Sequence, residues 1–251
     1  MPVLQRDGVE IFFETKGSGP AILLTHGYSA TSKMWAGQLE ALSDNHTVIA
    51  WDLRGHGQSG SPEDGALYRE ALTVADIAAI LDANGFDKAV IGGLSLGGYM
   101  SLAFHAAHPE RVSGLLIIDC GPGYKRDEPR EAWNKQARER GDDIERNGVA
   151  ALGGGSAGVR HKDVGGLVHA ARNMLTQHDA RIIESLPNVV VPTLVVAGAN
   201  DKPFLAATDY MAGKIPGAEK LIIPSAGHVV NMDQPDAFNA GILKFLAANS
   251  L

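Results

Sequence analysis

The feature that most constrains this chain is a glycine-flanked serine, Gly93-Leu94-Ser95-Leu96-Gly97-Gly98, set between two dissimilar segments. Lys88–Ile91 before it reads as a strand, and Leu96–His108 after it reads as a helix closed by Pro109. A chain that passes from strand to helix over so few residues turns sharply. Small residues at Gly93 and Gly97 leave room for the close passage that such a turn needs. Ser95 then stands at a helix N-terminus, where backbone N–H groups face a neighbouring atom, and the Leu96 N–H is set to meet negative charge there. A dinucleotide loop fits poorly. Its G-x-G-x-x-G belongs on a first strand's turn, and Gly92–Gly97 lies mid-chain with the wrong spacing. No Gly-Lys-Ser or Gly-Lys-Thr is present for a phosphate-cradling loop.

Around this turn the chain alternates. Val9–Thr15, Ala21–Thr25, Thr47–Trp51, Val112–Ile118, Thr193–Ala197 and Glu219–Ile223 read as strands, with a short Val3–Arg6 segment before an Asp7-Gly8 turn. Ala21–Thr25 is a continuous apolar run, the pattern of a parallel strand covered on both faces. Helical periodicity appears over Ser32–Leu42, after a capping-box-like Thr73-Val74-Ala75-Asp76, near Leu205–Ile215 and over Pro235–Leu246. From Gly121 the character changes to charged helical stretches, a Gly153-Gly154-Gly155 break and a second helical stretch near Val164–Thr176, with no persuasive strand. The expectation is an α/β fold with a mostly parallel central sheet flanked by helices, formed by residues 1–121 and 188–251, and a small helical cap, 122–187, inserted between them.

Composition narrows the function classes. The 251 residues carry 22 Lys plus Arg against 29 Asp plus Glu, a net charge of −7, which disfavours a nucleic-acid partner. The apolar fraction of 45% is enough for a sizeable core. Cys120 is the one cysteine, so no intrachain disulfide forms, in keeping with a reducing compartment. Met1–Asp7 lacks a basic segment followed by an apolar one, and no apolar run approaches the roughly 20 residues of a membrane span. The expectation is a cytoplasmic protein with no membrane partner.

A serine hydroxyl is a poor nucleophile without a base, and the base needs an orienting acid. Of nine histidines, His228 follows the late strand Glu219–Ile223 in Pro224-Ser225-Ala226-Gly227-His228, where a loop can reach back over a sheet. His105 and His108 lie on the helix after Ser95, and His161, His169 and His178 in the insert; no dense metal-ligand spacing occurs, and no metal is expected. Two acids are candidates. Asp201 follows Thr193–Ala197 in a loop that can reach His228, and it is the favoured one; Asp119 ends Val112–Ile118. Both fall at the carboxyl edge of the sheet, where open α/β sheets build their sites.

Together these segments resemble the α/β-hydrolase superfamily over about Val9 to Leu246, and within it the small capped esterase and enol-lactonase-like branch. The resemblance implies further roles. His26-Gly27-Tyr28 matches the family's His-Gly-x segment, so the Tyr28 N–H would be the second oxyanion donor beside Leu96, with His26 and Gly27 structural. Asp52-Leu53-Arg54-Gly55-His56-Gly57-Gln58-Ser59 matches the family's Asp-x-Arg-Gly-x-Gly-x-Ser segment, which implies that Asp52 and Arg54 brace the site. Gly227-His228 matches its late Gly-His. Serine at position 95, where relatives acting on haloalkanes and epoxides carry Asp, argues for acyl chemistry.

The implied activity is a serine hydrolase cleaving a small or medium carboxylic ester or lactone through an acyl-enzyme, with water as co-substrate and no cofactor. Ser95 would be the nucleophile, His228 the base and Asp201 the acid. A meta-cleavage-type C–C hydrolase, a cofactor-free perhydrolase and a non-catalytic hydrolase-like binding protein share these residues. Tyr28, Leu94 and Leu96, with Trp133, Met174 and Leu175 from the insert, are the expected pocket neighbours. Arg126, Arg130 and Arg138 either meet an anionic substrate or, the favoured reading, belong to a solvated helix face.

Overall fold

The computed structural model describes residues 3–152 and 159–251. Two strands, β1 (Val3–Arg6) and β2 (Val9–Lys16), form a hairpin about Asp7-Gly8 and lead into β3 (Ala21–Thr25). Helix α1 (Ala36–Leu42), strand β4 (Thr47–Trp51), helix α2 (Glu70–Ala83), strand β5 (Ala89–Leu94), helix α3 (Leu96–Ala107) and strand β6 (Val112–Ile118) follow. Between β6 and the next strand the described residues form three α-helices, α4 (Asp127–Asn147), α5 (Val164–Asn173) and α6 (Arg181–Ser185). The alternation then resumes with β7 (Thr193–Gly198), α7 (Lys202–Lys214), β8 (Glu219–Ile223), α8 (Val230–Asp233) and α9 (Pro235–Ala248).

The eight strands form one sheet in the order β1-β2-β4-β3-β5-β6-β7-β8. The β1–β2 and β2–β4 pairs are antiparallel, and every pair from β4 to β8 is parallel. Strands β3, β4 and β5 are buried along their whole length. Their successive side chains feed opposite faces, as the two-residue period of a strand requires. Leu23, Ile49, Ile91 and Ile117 join a core with Ile77 and Ile80 of α2 and Met100 and Phe104 of α3. Ile22, Leu24, Val48, Val90 and Leu116 join a second core with Leu39 of α1 and Phe238, Ile242 and Phe245 of α9. The chain leaves β3 toward β4 on one side and returns to β5 on the other. That reversal opens a crevice beyond the carboxyl ends of β3 and β5, the place where open α/β sheets hold their ligands.

The segment between β6 and β7 is helical, with no strand among its described residues. Helix α4 buries only Asn134, Ala137, Gly141 and Ile144, a narrow stripe at three- and four-residue spacing, against α5. Ile144, Leu152, Leu167 and Val168 make a small core of their own, and Arg172 of α5 bonds to Asp142 and Glu145 of α4. Arg138 pairs with Glu131 on the outer face and Arg126 is exposed at the helix start, whereas the Arg130 side chain is largely covered, pairing with Asp127 and donating to the Tyr124 carbonyl at 3.2 Å. The glycine break at 153–155 lies outside the described residues.

Two local expectations are corrected, and a third is refined. Thr73–Asp76 does not cap a helix, because α2 begins at Glu70; Thr73 Oγ1 donates back to the Arg69 carbonyl at 3.4 Å, and Asp76 is buried against Arg54. Ser32–Leu42 is helical as expected, a 3₁₀ turn over Ser32–Trp35 running into α1. Strand β5 extends three residues past Ile91, because Gly92, Gly93 and Leu94 pair with Leu116, Ile117 and Ile118.

Candidate active site

Ser95 sits between β5 and α3 at φ +55°, a left-handed conformation that is costly for a residue with a Cβ. Its neighbours show what holds it there. A Cβ on Gly97 would lie 2.1 Å from the Thr25 carbonyl oxygen, and one on Gly93 would lie 2.4 Å from the Gly97 carbonyl carbon. Backbone thus passes backbone with no space for a side chain, and the Ser95 N–H donates to the Ile118 carbonyl at 2.8 Å. The serine is half-buried and lines two cavities at once.

His228 lies in the turn between β8 and α8. Its Nδ1 donates to Asp201 Oδ2 at 2.7 Å, and the Phe204 ring stacks on the imidazole with centroids 5.0 Å apart. Asp201 is 6% exposed and immediately precedes α7. Proximity is again set by glycine: a Cβ on Gly198, at the end of β7, would lie 2.2 Å from the Gly227 carbonyl oxygen, so the two loops touch. With Nδ1–H committed to the carboxylate, the neutral ring carries its lone pair on Nε2. Ser95 and His228 line the same cavity, and no hydrogen bond joins them among the described residues. Contacts of this kind commonly close only when a substrate is bound. Asp119 does not bond to the imidazole; its Oδ1 accepts from the Gly198 N–H at 2.9 Å.

The loop after β3 crosses over Ser95. A Cβ on Gly27 would lie 3.5 Å from the Ser95 Cβ and 3.2 Å from Leu94 Cδ2. Neither the Tyr28 nor the Leu96 N–H has a protein acceptor among the described residues. His26 is fully buried, donates from Nδ1 to the Gly27 carbonyl at 2.7 Å and accepts at Nε2 from the Leu53 N–H at 3.0 Å. It thereby ties the loop after β3 to the loop after β4, and burial lowers its pKa to about 4, so it stays neutral. Asp52 accepts from the Ser32 N–H at 2.6 Å and the Gln58 N–H at 2.8 Å. Arg54 grips Asp76 through Nε and an Nη at 2.7 and 2.8 Å and reaches Asp7 at 2.9 Å.

The first cavity, about 220 Å³, lies under the insert between α3 and α7. Leu96, Trp133, Met174 and Leu175 line it, as does Phe204, which has no periodic or motif signal in the sequence. Tyr99, Cys120 and Gln177 line it too and were equally hidden, because they reach the cavity from separate elements. The second, about 980 Å³, is a wide mouth lined by Tyr28, Leu94, Met232 and His228, with Lys33 and Arg160 at its rim. No group of three or more His, Cys, Asp or Glu among the described residues is arranged to hold a metal ion. No described helix is long and apolar enough to cross a membrane.

Residues 22–240 match the model of the alpha/beta hydrolase family. The chain belongs to the alpha/beta hydrolase family. It is a serine-hydrolase-type enzyme of the family's esterase- and lactonase-like branch. It is 29% identical to a 2-(acetamidomethylene)succinate hydrolase of Mesorhizobium japonicum, over 93% of this chain and 90% of the relative. Among solved structures it is similar to a thermophilic esterase from Thermogutta terrifontis, with a TM-score of 0.84 and 28% identity over 96% of this chain and 94% of the other. It is also similar to the enol-lactonase from Burkholderia xenovorans LB400, with a TM-score of 0.80 and 25% identity over 98% and 100% of the two chains.

Proposed function

We propose that this protein hydrolyses small or medium carboxylic esters or lactones by two-step acyl transfer at Ser95. The observation that carries the reading is the 2.7 Å bond from His228 Nδ1 to Asp201, made by a ring that shares its cavity with Ser95. That bond fixes the tautomer in which Nε2 is the base. His228 takes the Ser95 proton as the oxygen attacks the carbonyl carbon. The Leu96 and Tyr28 N–H groups receive the oxyanion. His228 then protonates the leaving alkoxide, which departs, and activates water to release the acid from Ser95. Asp201 holds the ring and stabilises its charged form.

The two cavities divide the substrate. The smaller one, walled by Leu96, Trp133, Met174, Leu175 and Phe204, takes the acyl group, and the wider mouth takes the alcohol side. Residues 122–187 act as a cap that supplies the far wall of the acyl chamber. Likeness to an esterase and to an enol-lactonase supports this substrate class.

The test joins labelling to turnover. A fluorophosphonate adds one phosphonyl group to Ser95, read by intact mass and peptide mapping, and Ser95→Ala loses both the label and about 10⁴-fold or more in kcat. Across p-nitrophenyl esters, kcat/KM falls once the acyl chain outgrows the smaller chamber. Undiminished turnover by Ser95→Ala sinks the reading.

A further inference from the structure

Asp119 has no task in the scheme above, yet its position is unusual. It ends β6 at φ +43° and is fully buried. Its Oδ1 accepts from the Gly198 N–H, while its buried Oδ2 makes no hydrogen bond of ordinary geometry among the described residues, with the Val230 N–H turned toward the carboxyl. Gly198 ties the two carboxyl-bearing residues together: its N–H donates to Asp119 Oδ1 at 2.9 Å and its carbonyl accepts from the Asp201 N–H at 3.0 Å, so the Asp119 carboxyl faces that of Asp201. Asp201 in turn accepts from His228. Two ionised carboxylates have only acceptors between them, so a hydrogen bond across this pair requires a proton on one member.

The surroundings assign that proton. Asp201 faces the imidazole, which stabilises its negative charge. Asp119 faces Asp201 from α7, the adjacent Cys120 thiol on its own strand end, and the Gly198 and Val230 N–H groups. His228 lies beyond Asp201, and no cation is among these neighbours. We propose that Asp119 is a positioning residue that works as a neutral carboxylic acid, donating a hydrogen bond to Asp201 and so setting the carboxylate that orients His228. The proposal rests on the reading of Asp201 and His228 given under Proposed function.

Two consequences follow from the geometry. The donated hydrogen bond fixes the rotation of the Asp201 carboxylate, so its Oδ2 keeps facing Nδ1. With Nδ1–H held by that carboxylate, Nε2 stays turned toward the cavity it shares with Ser95. Burial, then the charge on Asp201, pushes the Asp119 carboxyl up to about 8. Above that pH two negative charges are in contact, the hydrogen bond is gone, and Asp201 loses its rotational hold.

The experiment compares wild type, Asp119→Asn and Asp119→Ala, with kcat and KM on one ester from pH 5 to 10 and infrared difference spectra. Asn can accept from Gly198 and donate to Asp201 but cannot ionise. Wild-type kcat declines above about pH 8, whereas Asp119→Asn has no such decline. Asp119→Ala loses kcat with KM little changed, and Asn recovers about tenfold or more of that loss. The wild-type minus Asp119→Asn spectrum shows a protonated carboxyl C=O band at pH 6 that titrates away near pH 8. Absence of that band, or alkaline limbs that superimpose in wild type and Asp119→Asn, overturns the proposal. The spectrum and the Asn variant decide the matter even if the Ala variant fails to fold. Phosphonate labelling of Ser95 in Asp119→Asn separates the outcomes. Labelling at the wild-type rate leaves the acyl-transfer reading standing whatever becomes of Asp119.

Discussion

Gly97 shows how single atoms hold the elbow in shape. The place its Cβ would take is already occupied by the Thr25 carbonyl oxygen, 2.1 Å away, and by the His26 carbonyl oxygen, 2.8 Å away. Both belong to backbone in a buried strand end, which cannot swing aside as a flexible side chain would. Gly97→Ala is therefore expected to cost about 3 kcal/mol, lowering Tm by about 6–12 °C in a thermal melt. Gly37 is the contrast. It lies exposed in α1 with nothing within 4 Å of its Cβ position, and Gly37→Ala is expected to stabilise by about 0.5–1 kcal/mol. Equal melts for the two variants would remove the packing account of the elbow. This is also why the elbow was legible: a turn this crowded admits glycine alone, and glycine leaves a visible mark in sequence. The lining of the smaller cavity was legible only in part: Leu96, Trp133, Met174 and Leu175 were expected there, whereas Phe204 and Tyr99 look like any core aromatic until the fold brings them to the same cavity.

At the scale of elements, strands were the easier reading. Ala21–Thr25, Thr47–Trp51, Val112–Ile118 and Glu219–Ile223 run as read, because apolar runs between turn residues admit few alternatives. The start of α2 was misread because Thr73 and Asp76 have the right local spacing for a cap while a tertiary contact decides their use. Asp76 and Arg54 are both fully buried, and their paired bonds, extended to Asp7, join the loop after β4 to α2 and to the β1–β2 hairpin. No local pattern announces a partnership between residues 54 and 76. Breaking this pair on one side leaves a buried carboxylate with only Arg6 Nε, 3.6 Å away, for charge compensation among the described residues. Arg54→Met is expected to lose about 3–5 kcal/mol in urea unfolding, and adding Asp76→Leu to recover part of that loss by removing the orphaned charge. A double variant no more stable than Arg54→Met would mean that Asp76 is not what the loss of Arg54 exposes.

At the scale of the whole molecule, the insert is tied to the loops after β3 and β4 beside the site. The Tyr28 hydroxyl donates to the Leu167 carbonyl of α5 at 2.9 Å, and the Gly57 N–H donates to His161 Nδ1 at 3.0 Å. The rings of His26, His56 and His161 run in a row through this junction, with centroids 5.0 and 5.8 Å apart. Their positions in sequence, from three separate segments, gave no sign of that row. Burial is the first cause that lowers the proton affinity of all three, to about 4 for His26 and well below the ordinary histidine value for His56. The sign of the effect follows. Unfolded histidines titrate near 6.5, so between that pH and about 4 the unfolded chain binds protons that the folded chain refuses. The part of folded stability that these histidines govern is thus fully present above about pH 6.5 and falls as the pH drops, by up to about 1.4 kcal/mol per pH unit for each such histidine. His161→Gln keeps an acceptor for the Gly57 N–H but cannot take a proton. Unfolding free energies measured between pH 7 and 4.5 are expected to fall less steeply in this variant than in wild type. The slope does not vanish, because His26 and His56 still refuse their protons. If the two slopes coincide, His161 does not take part in the acid sensitivity of the junction.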